Sequence, residues 1–460
     1  MSAPVLQDNI FRAYDIRGIV GEGLNAEVMY WLGKAIGSEA QFKGEDTLLL
    51  GCDARLSSPE FAEHMKTGIL ETGCNLVDLG QIPTPLMYFA THKLDTHSGV
   101  MITGSHNPRE YNGVKIVFKQ QALSDAQITI FRDRIFSREF YQGRGKATRL
   151  DISTDYLKRI CQDISLNKAW KLVIDCGNAV TAKVGPALFR QLGCEVSTLF
   201  CDIDGSFPNH HPDPTQAENL VDLQQKILAE QAELGIAFDG DGDRVALVTG
   251  SGRIIDADHM LMAFIQDILP ENPGATVVYD VKSSQHLQQM IIAEQGVPLM
   301  CKSGHSYVKK AMLKSGALLG GEFSSHLFFK HRWYGFDDGL YVAARFLELM
   351  DKNNLSADEI LDSLPDSAHT PELFVAVPEQ DKFAMMRILQ DQFSLPGTEI
   401  NQLDGLRVML DSGWGLIRAS NTTANLVLRF EAQDQAALAE IQQQFRNELL
   451  RVLPDLSLPF

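Results

Sequence analysis

Leu48-Leu49-Leu50-Gly51-Cys52-Asp53 is an apolar run that stops at an aspartate, and the chain states the same theme twice more. After Asp53 come a polar turn, a stretch of helical character, Gly73 and a second apolar run. Leu172-Val173-Ile174-Asp175 opens the same series, with its glycine at Gly193. Val277-Val278-Tyr279-Asp280 opens it again, with Gly296. Strand, turn, helix, strand is the right-handed crossover of a parallel sheet. Three such units predict three α/β domains of similar build. Any α/β protein carries this rhythm, so periodicity alone does not separate three domains from one extended α/β fold. The C-terminal stretch departs from it. Leu416-Ile417 and residues 426–430 read as short strands about a polar turn, and Leu438, Ile441, Phe445, Leu449 and Val452 recur at helical spacing. That pattern predicts a helix on a small sheet, an α+β domain. Polar segments at 143–149, 250–253 and 365–371 are the candidate linkers. The expected division is 1–150, 151–252, 253–366 and 367–460.

Bulk composition bounds the function. At about 150 residues per domain, 460 residues call for several cores. No run approaches the roughly 18 apolar residues of a membrane helix, and the first ten residues lack a basic-then-apolar secretory pattern. Neither a membrane nor secretion is expected. The seven cysteines are scattered and never spaced C-x-x-C, which predicts reduced thiols in a cytoplasmic protein. A net charge of −18 argues against nucleic acid. It also means that an anionic substrate needs a local cluster of Arg and Lys within a negative field.

The sharpest chemical signal is Asp239-Gly240-Asp241-Gly242-Asp243-Arg244, which follows the apolar residues 234–238. Three alternating carboxylates repel one another unless a cation lies between them. Oxygen ligands suit a hard cation, and magnesium is the common one beside phosphate. An EF-hand reading fails: counting from Asp239, the sixth residue is Arg244 and the twelfth is Gly250. Thr103-Gly104-Ser105-His106-Asn107-Pro108 lies between two strand-like runs and offers a hydroxyl on a glycine-flanked turn, with an imidazole beside it. Alone it reads as a polar hairpin turn. Arg418-Ala419-Ser420-Asn421-Thr422-Thr423 joins a guanidinium to hydroxyl and amide donors, a set able to hold a phosphate dianion, or else a Ser/Thr turn. Gly321-Glu322-Phe323-Ser324-Ser325-His326 offers groups for sugar hydroxyls or is a polar loop. As metal ligands Glu322 and His326 would need a helix, which Gly320-Gly321 disfavours. No nucleotide phosphate loop, kinase glycine loop or dinucleotide fingerprint is present. What remains is a hydroxyl nucleophile, a hard cation and a phosphate grip.

In series, these segments and Phe11-Arg12-Ala13-Tyr14-Asp15-Ile16-Arg17-Gly18 resemble the α-D-phosphohexomutase superfamily. Within it the chain is similar to the bacterial phosphomannomutase/phosphoglucomutase enzymes. The resemblance implies a heart-shaped, four-domain architecture, three similar α/β domains and a C-terminal α+β domain, each lending one loop to a central cleft. It implies Ser105 as the phosphorylated serine, and one Mg²⁺ per chain on Asp239, Asp241 and Asp243 with a phosphoserine oxygen of Ser105. Glu322, Ser324 and His326 match the loop that reads sugar hydroxyls. Arg418, Ser420, Asn421 and Thr422 match the loop that holds the non-reacting phosphate. Tyr14, Arg17, Lys115, Arg244, Lys282, Gly304 and His305 fall where substrate is bound or proton transfer assisted, and His106 beside the serine joins the catalytic set. Ser325 is a departure, since the family usually has Gly or another small residue there.

The implied reaction is reversible phosphoryl transfer between C1 and C6 of a mannose or glucose phosphate. It passes through a hexose 1,6-bisphosphate, which also serves as activator. A glucosamine-phosphate mutase, a sugar phosphatase and a silent sugar-phosphate sensor are the competing readings. The expected state is a monomer acting on small hexose phosphates, with a hinge ahead of the fourth domain that lets the cleft exclude water.

Overall fold

The structure, a computed structural model, describes residues 6–421 and 423–460. Each of the three repeats closes a parallel strand pair around a helix. Thr47–Cys52 and Asn75–Gln81 pair across helix Ser58–Leu70, and Lys171–Asp175 and Glu195–Leu199 across helix Gly185–Gln191. Thr276–Asp280 and Val297–Cys301 pair across helix Gln285–Ala293. The opening strands are apolar because both of their faces are covered: Leu48, Leu49, Leu172, Val173, Val277 and Val278 are fully buried. The repeats differ at the turn. Gly73 and Gly193 take left-handed backbone, whereas in the third unit Gln295 does so, one residue ahead of Gly296.

Around each pair a mixed sheet is completed. The first has seven strands in the order Ile16–Ile19, Tyr111–Phe118, Gly99–Ile102, Thr47–Cys52, Asn75–Gln81, Ala147–Arg149, with Gln121–Ala122 on the second of these. The second adds Leu234–Phe238, Val245–Thr249 and Ile254–Ile255; the third adds Leu319–Gly321 and Leu327–Phe329. The fourth sheet is antiparallel, with Gly413–Ala419 and Asn425–Ala432 at its centre and helix Gln435–Val452 against it.

Two expected linkers carry sheet structure instead. Ala147–Arg149 is an exposed edge strand, and sheet edges favour the polar composition that reads as a linker. Residues 250–253 form the turn of a hairpin whose return strand, Ile254–Ile255, closes the second sheet.

One apolar core runs through the first three units, while the fourth has its own. There Leu438, Ile441, Phe445 and Leu449 pack on Val408, Leu428 and Phe430, with Val452 at the margin. All seven cysteines are free; Cys161 and Cys201 are half-buried and the rest buried. No helix among the described residues is long and apolar enough to cross a membrane. The turns that follow Gly99–Ile102, Leu234–Phe238, Leu319–Gly321 and Gly413–Ala419 all open on one cavity.

Candidate active site

That cavity measures about 810 Å³ and is bordered by all four units. Ser105 sits on its wall in a left-handed conformation (φ 50°), a strained state for a residue with a Cβ. Surrounding bonds hold it there. Its amide donates to Thr103 Oγ1 (2.8 Å), and Arg17 donates to Gly104 O (2.8 Å) and to Asn107 Oδ1 (3.0 Å). Fully buried Arg55 donates to four carbonyls: Ser105 (2.7 Å), Asn107 (2.5 Å), Pro108 (2.6 Å) and Tyr111 (2.9 Å). A Cβ at Gly104 would run into the Arg55 guanidinium, so only glycine lets the loop lie this close. Asp53 accepts from Thr103 Oγ1 (2.8 Å) and the Gly104 amide (3.1 Å). Asp53 ends the first repeat's opening run, and that placement was its signal. Arg55, two residues later, resembled any surface cation in sequence.

Ser105 Oγ donates to Asp239 Oδ2 at 2.9 Å and lies 3.4 Å from His106 Nδ1. Asp239, Asp241 and Asp243 are fully buried, and each offers an oxygen within 4.8 Å of the others. The loop bends at Gly242 (φ 77°), whose amide donates to Asp239 Oδ1 at 2.9 Å. Lys115 caps the far side, donating to Asp241 Oδ2 at 2.7 Å and to Asp243 Oδ2; Thr84 Oγ1 adds a 2.5 Å bond to Asp241. Burial, then repulsion from their neighbours, pushes the Asp239 and Asp243 carboxyls up. Burial also opposes charge on Asp241, but Lys115 and the Thr84 bond hold its carboxyl below the usual range. Asp241 Oδ1 and Asp243 Oδ1 have no hydrogen-bond partner among the described residues. Buried, mutually repelling oxygens without donors beside a serine hydroxyl fit a hard divalent cation.

Beside Asp243 lies a second cluster, with two more imidazoles. Arg244 Nε donates to His326 Nε2 at 2.9 Å, which places the His326 proton on Nδ1, 3.1 Å from Asp337 Oδ2. Asp337 is fully buried, accepts from Lys309 Nζ at 2.7 Å and lies 3.6 Å from His305 Nδ1. Neither ring nitrogen of His305 has a hydrogen-bond partner among the described residues. Burial, and then Lys309, pushes His305 well below the usual imidazole range; burial, and then Arg244, does the same to His106. Both rings are therefore neutral near pH 7. Asp337 had no motif to mark it in the sequence. Glu322 accepts from the Gly304 amide at 2.5 Å, and burial, with Asp280 nearby, pushes its carboxyl up to about 8. Lys282 pairs with Glu372 at 3.1 Å.

The cavity therefore brings together Tyr14, Arg17, Ser105, His106, Lys115, Arg244, Lys282, Gly304, His305, Glu322, Ser324, His326, Arg418, Ser420 and Asn421. The three aspartates lie behind Ser105 and Lys115. Thr422 lies outside the described residues. Ser325 is buried with φ 67°, a conformation natural to glycine.

Four family models match the chain in order. They describe the phosphoglucomutase/phosphomannomutase α/β/α domains I, II and III, at residues 8–142, 154–252 and 256–368, and the C-terminal domain, at residues 372–448. A phosphomannomutase/phosphoglucomutase of Pseudomonas aeruginosa is 48% identical over 458 residues, covering 100% of this chain and 99% of that protein. A phosphoglucomutase of Neisseria meningitidis is 46% identical over 442 residues, covering 95% and 96%. The crystal structure of a phosphoglucomutase/phosphomannomutase family protein from Burkholderia thailandensis superposes with a TM-score of 0.94 at 44% identity, covering 99% of this chain and all of that one. The chain belongs to the phosphoglucomutase/phosphomannomutase family.

Proposed function

We propose that this chain is an isomerase that moves a phosphoryl group reversibly between C1 and C6 of a mannose or glucose phosphate, with Ser105 as the carrier. The observation that carries this reading is the placement of Ser105 Oγ: on a strained turn at the cavity wall, bonded to one of three buried carboxylates, two of which keep an oxygen without a donor among the described residues. Asp239, Asp241, Asp243 and a Ser105 oxygen would hold Mg²⁺, which when bound neutralises charge on the transferring oxygens.

The chain's own residues do the rest. In the forward half-reaction the bond from Ser105 Oγ to phosphorus breaks as a sugar hydroxyl oxygen bonds to phosphorus. The hydroxyl proton passes to His305, which is neutral and has both ring nitrogens open. His106, with Nδ1 3.4 Å from Ser105 Oγ, orients the departing serine oxygen, which takes its proton from solvent, and the count closes when His305 releases the sugar proton. Lys115 stays protonated, since Asp241 and Asp243 outweigh the effect of burial, so it acts as fixed positive charge rather than as a base. The 1,6-bisphosphate then turns over in the cavity and gives its other phosphoryl group back to Ser105. Arg418, Ser420, Asn421 and Thr422 hold the idle phosphate, while Glu322, Ser324 and His326 meet hydroxyls common to both orientations. All these groups come from one chain, which supports a working monomer. Seven free thiols support a cytoplasmic setting.

The test is a coupled assay on mannose 1-phosphate, glucose 1-phosphate and glucosamine 6-phosphate, with Mg²⁺ and a trace of hexose 1,6-bisphosphate. Isomerisation of the first two is expected. Ser105→Ala should abolish it while leaving substrate binding nearly intact. Release of inorganic phosphate in place of isomer, or normal turnover by Ser105→Ala, refutes the reading.

A further inference from the structure

Asp404 stands behind the phosphate grip, in the turn between strands Glu399–Asn401 and Leu406–Leu410. It does not border the cavity, and its side chain is only 16% exposed. One of its oxygens, Oδ2, accepts two hydrogen bonds from different parts of the chain. Arg418 Nε donates to it at 2.9 Å, and the Ser303 backbone amide at 3.0 Å. Ser303 O in turn accepts from Asn421 Nδ2 at 3.4 Å. The backbone just ahead of Gly304 and His305 is thus held on both sides by the fourth unit.

The geometry of Arg418 gives this a consequence. Its Nε is fixed on Asp404, while its buried Nη2 has no hydrogen-bond partner among the described residues, and the residue borders the cavity. A guanidinium is a planar fork, so anchoring one edge fixes where the other donors point. An oxygen shared by both donors also makes their positions interdependent. If Arg418 swings away, the 303–305 turn loses its backbone anchor, and that turn carries the amide that binds Glu322 and the ring of His305.

Resting on the proposed function, we infer that Asp404 is a positioning residue of the phosphate-binding site. It aims the free edge of Arg418 at the idle phosphate of the sugar and locks that aim to the Ser303–Gly304–His305 turn. The ligand class it serves is a phosphomonoester dianion at either end of the hexose. Asp404 never touches the phosphate, so its effect should pass entirely through Arg418 and the turn.

A double-mutant cycle on the full chain tests this, with KM and kcat for glucose 1-phosphate read in Mg²⁺ and bisphosphate primer for D404A, R418A and D404A/R418A. Melting temperatures confirm that each variant is folded. R418A should raise KM by tenfold or more. D404A should raise it on the order of tenfold with a smaller loss in kcat, the scale set by a misaimed binding group. In the R418A background D404A should add almost nothing, because coupled residues are not additive. D404N keeps an acceptor oxygen at the same place and should recover part of the KM.

A merely structural role would lower the melting temperature and multiply with R418A instead. That result, or a D404A enzyme with unchanged KM while R418A is impaired, overturns the inference and leaves the proposed function standing. A lower KM in D404A also overturns it, by showing that the carboxylate only competes with phosphate. Unchanged KM in R418A removes the phosphate grip itself, and both readings fall. If D404A does not fold, the cycle with D404N carries the same comparison.

Discussion

Replacing Arg55 with lysine should cost both turnover and the stability of the serine loop, and the reason lies in counting bonds. The arginine serves the carbonyls of Ser105, Asn107, Pro108 and Tyr111 through its two Nη atoms and reaches Asp53 through Nε at 3.2 Å. Lysine keeps the charge that Asp53 requires, but has one nitrogen with three protons. It can serve Asp53 and at most two carbonyls, leaving at least two carbonyls without this donor. A buried acceptor left unsatisfied costs about 1–3 kcal/mol, so two of them should destabilise the first unit of Arg55→Lys by about 2–6 kcal/mol. Ser105 in its left-handed state stores about 1–3 kcal/mol of strain. That strain is held only while the bonds around the loop outweigh it, and the substitution brings the two magnitudes level. The turn should therefore relax and carry Oγ away from Asp239. A displacement of about 1 Å is enough for a loss on the order of a hundredfold. Arg55→Ala should be worse in kind, since a buried Asp53 left without a counter-charge costs about 3–5 kcal/mol. The assay pairs kcat with amide exchange across residues 103–113. Faster exchange confined to that segment, with lower kcat in Arg55→Lys, is the expected result. Wild-type kcat with unchanged exchange would refute the idea that Arg55 holds the serine turn in its strained form.

Ser325→Gly should relieve about 1–2 kcal/mol of left-handed strain but give back about 0.5–1 kcal/mol through a floppier unfolded chain, so a small rise in the thermal midpoint with retained activity is expected. Lost activity would assign the Ser325 hydroxyl a role. The carboxyls of Asp239, Asp243 and Glu322 are pushed up on folding, so they favour the folded state at acid pH and lose that contribution as pH rises from the ordinary carboxylate range through their folded values. These carboxyls should draw the stability of metal-free protein down between about pH 4 and 8 while neutral His106 and His305 raise it, so the stabilisation added by Mg²⁺ should grow with pH; a gain from Mg²⁺ that does not change with pH would contradict this. The fourth unit has a core of its own, so sugar bisphosphate should reduce the radius of gyration seen by small-angle scattering, whereas identical profiles would exclude closure.

What the sequence discloses here is what acts locally. The apolar runs at 48–53, 172–175 and 277–280 are strands because a parallel sheet buries both faces, and burial leaves an unbroken hydrophobic record. The Asp-Gly alternation is legible because its chemistry lies within six consecutive residues. The supporting groups are not local. Arg55 reaches the serine loop from 50 residues away in the chain, and Lys115 reaches Asp241 from 126. Asp337 gathers His305 and Lys309 from helix His305–Ser315 and His326 from the loop ahead of Leu327–Phe329, and nothing around it in the chain announces that. Edge strands such as Ala147–Arg149 are hidden for the opposite reason: exposure removes the apolar record that marks a strand.

The electrostatics of the cavity follow from the same long-range pairing. A chain of net charge −18 must still attract a dianion, and Arg17, Lys115, Lys282 and Arg418 all border the cavity. Yet each is already engaged by a carboxylate: Asp15, Asp241 with Asp243, Glu372 and Asp404 respectively. Pairing fixes these cations in a buried setting, where an unpaired charge would be costly. It also tempers the field that the substrate meets, so that attraction depends on the few donors left open, such as Arg418 Nη2 and Arg17 Nε. For a phosphatase, an uncompensated basic pocket would serve as well or better. For an enzyme whose bisphosphate must leave one pose, turn over and settle in the other, a pocket that grips a phosphate at a few points and releases it is the arrangement the chemistry requires.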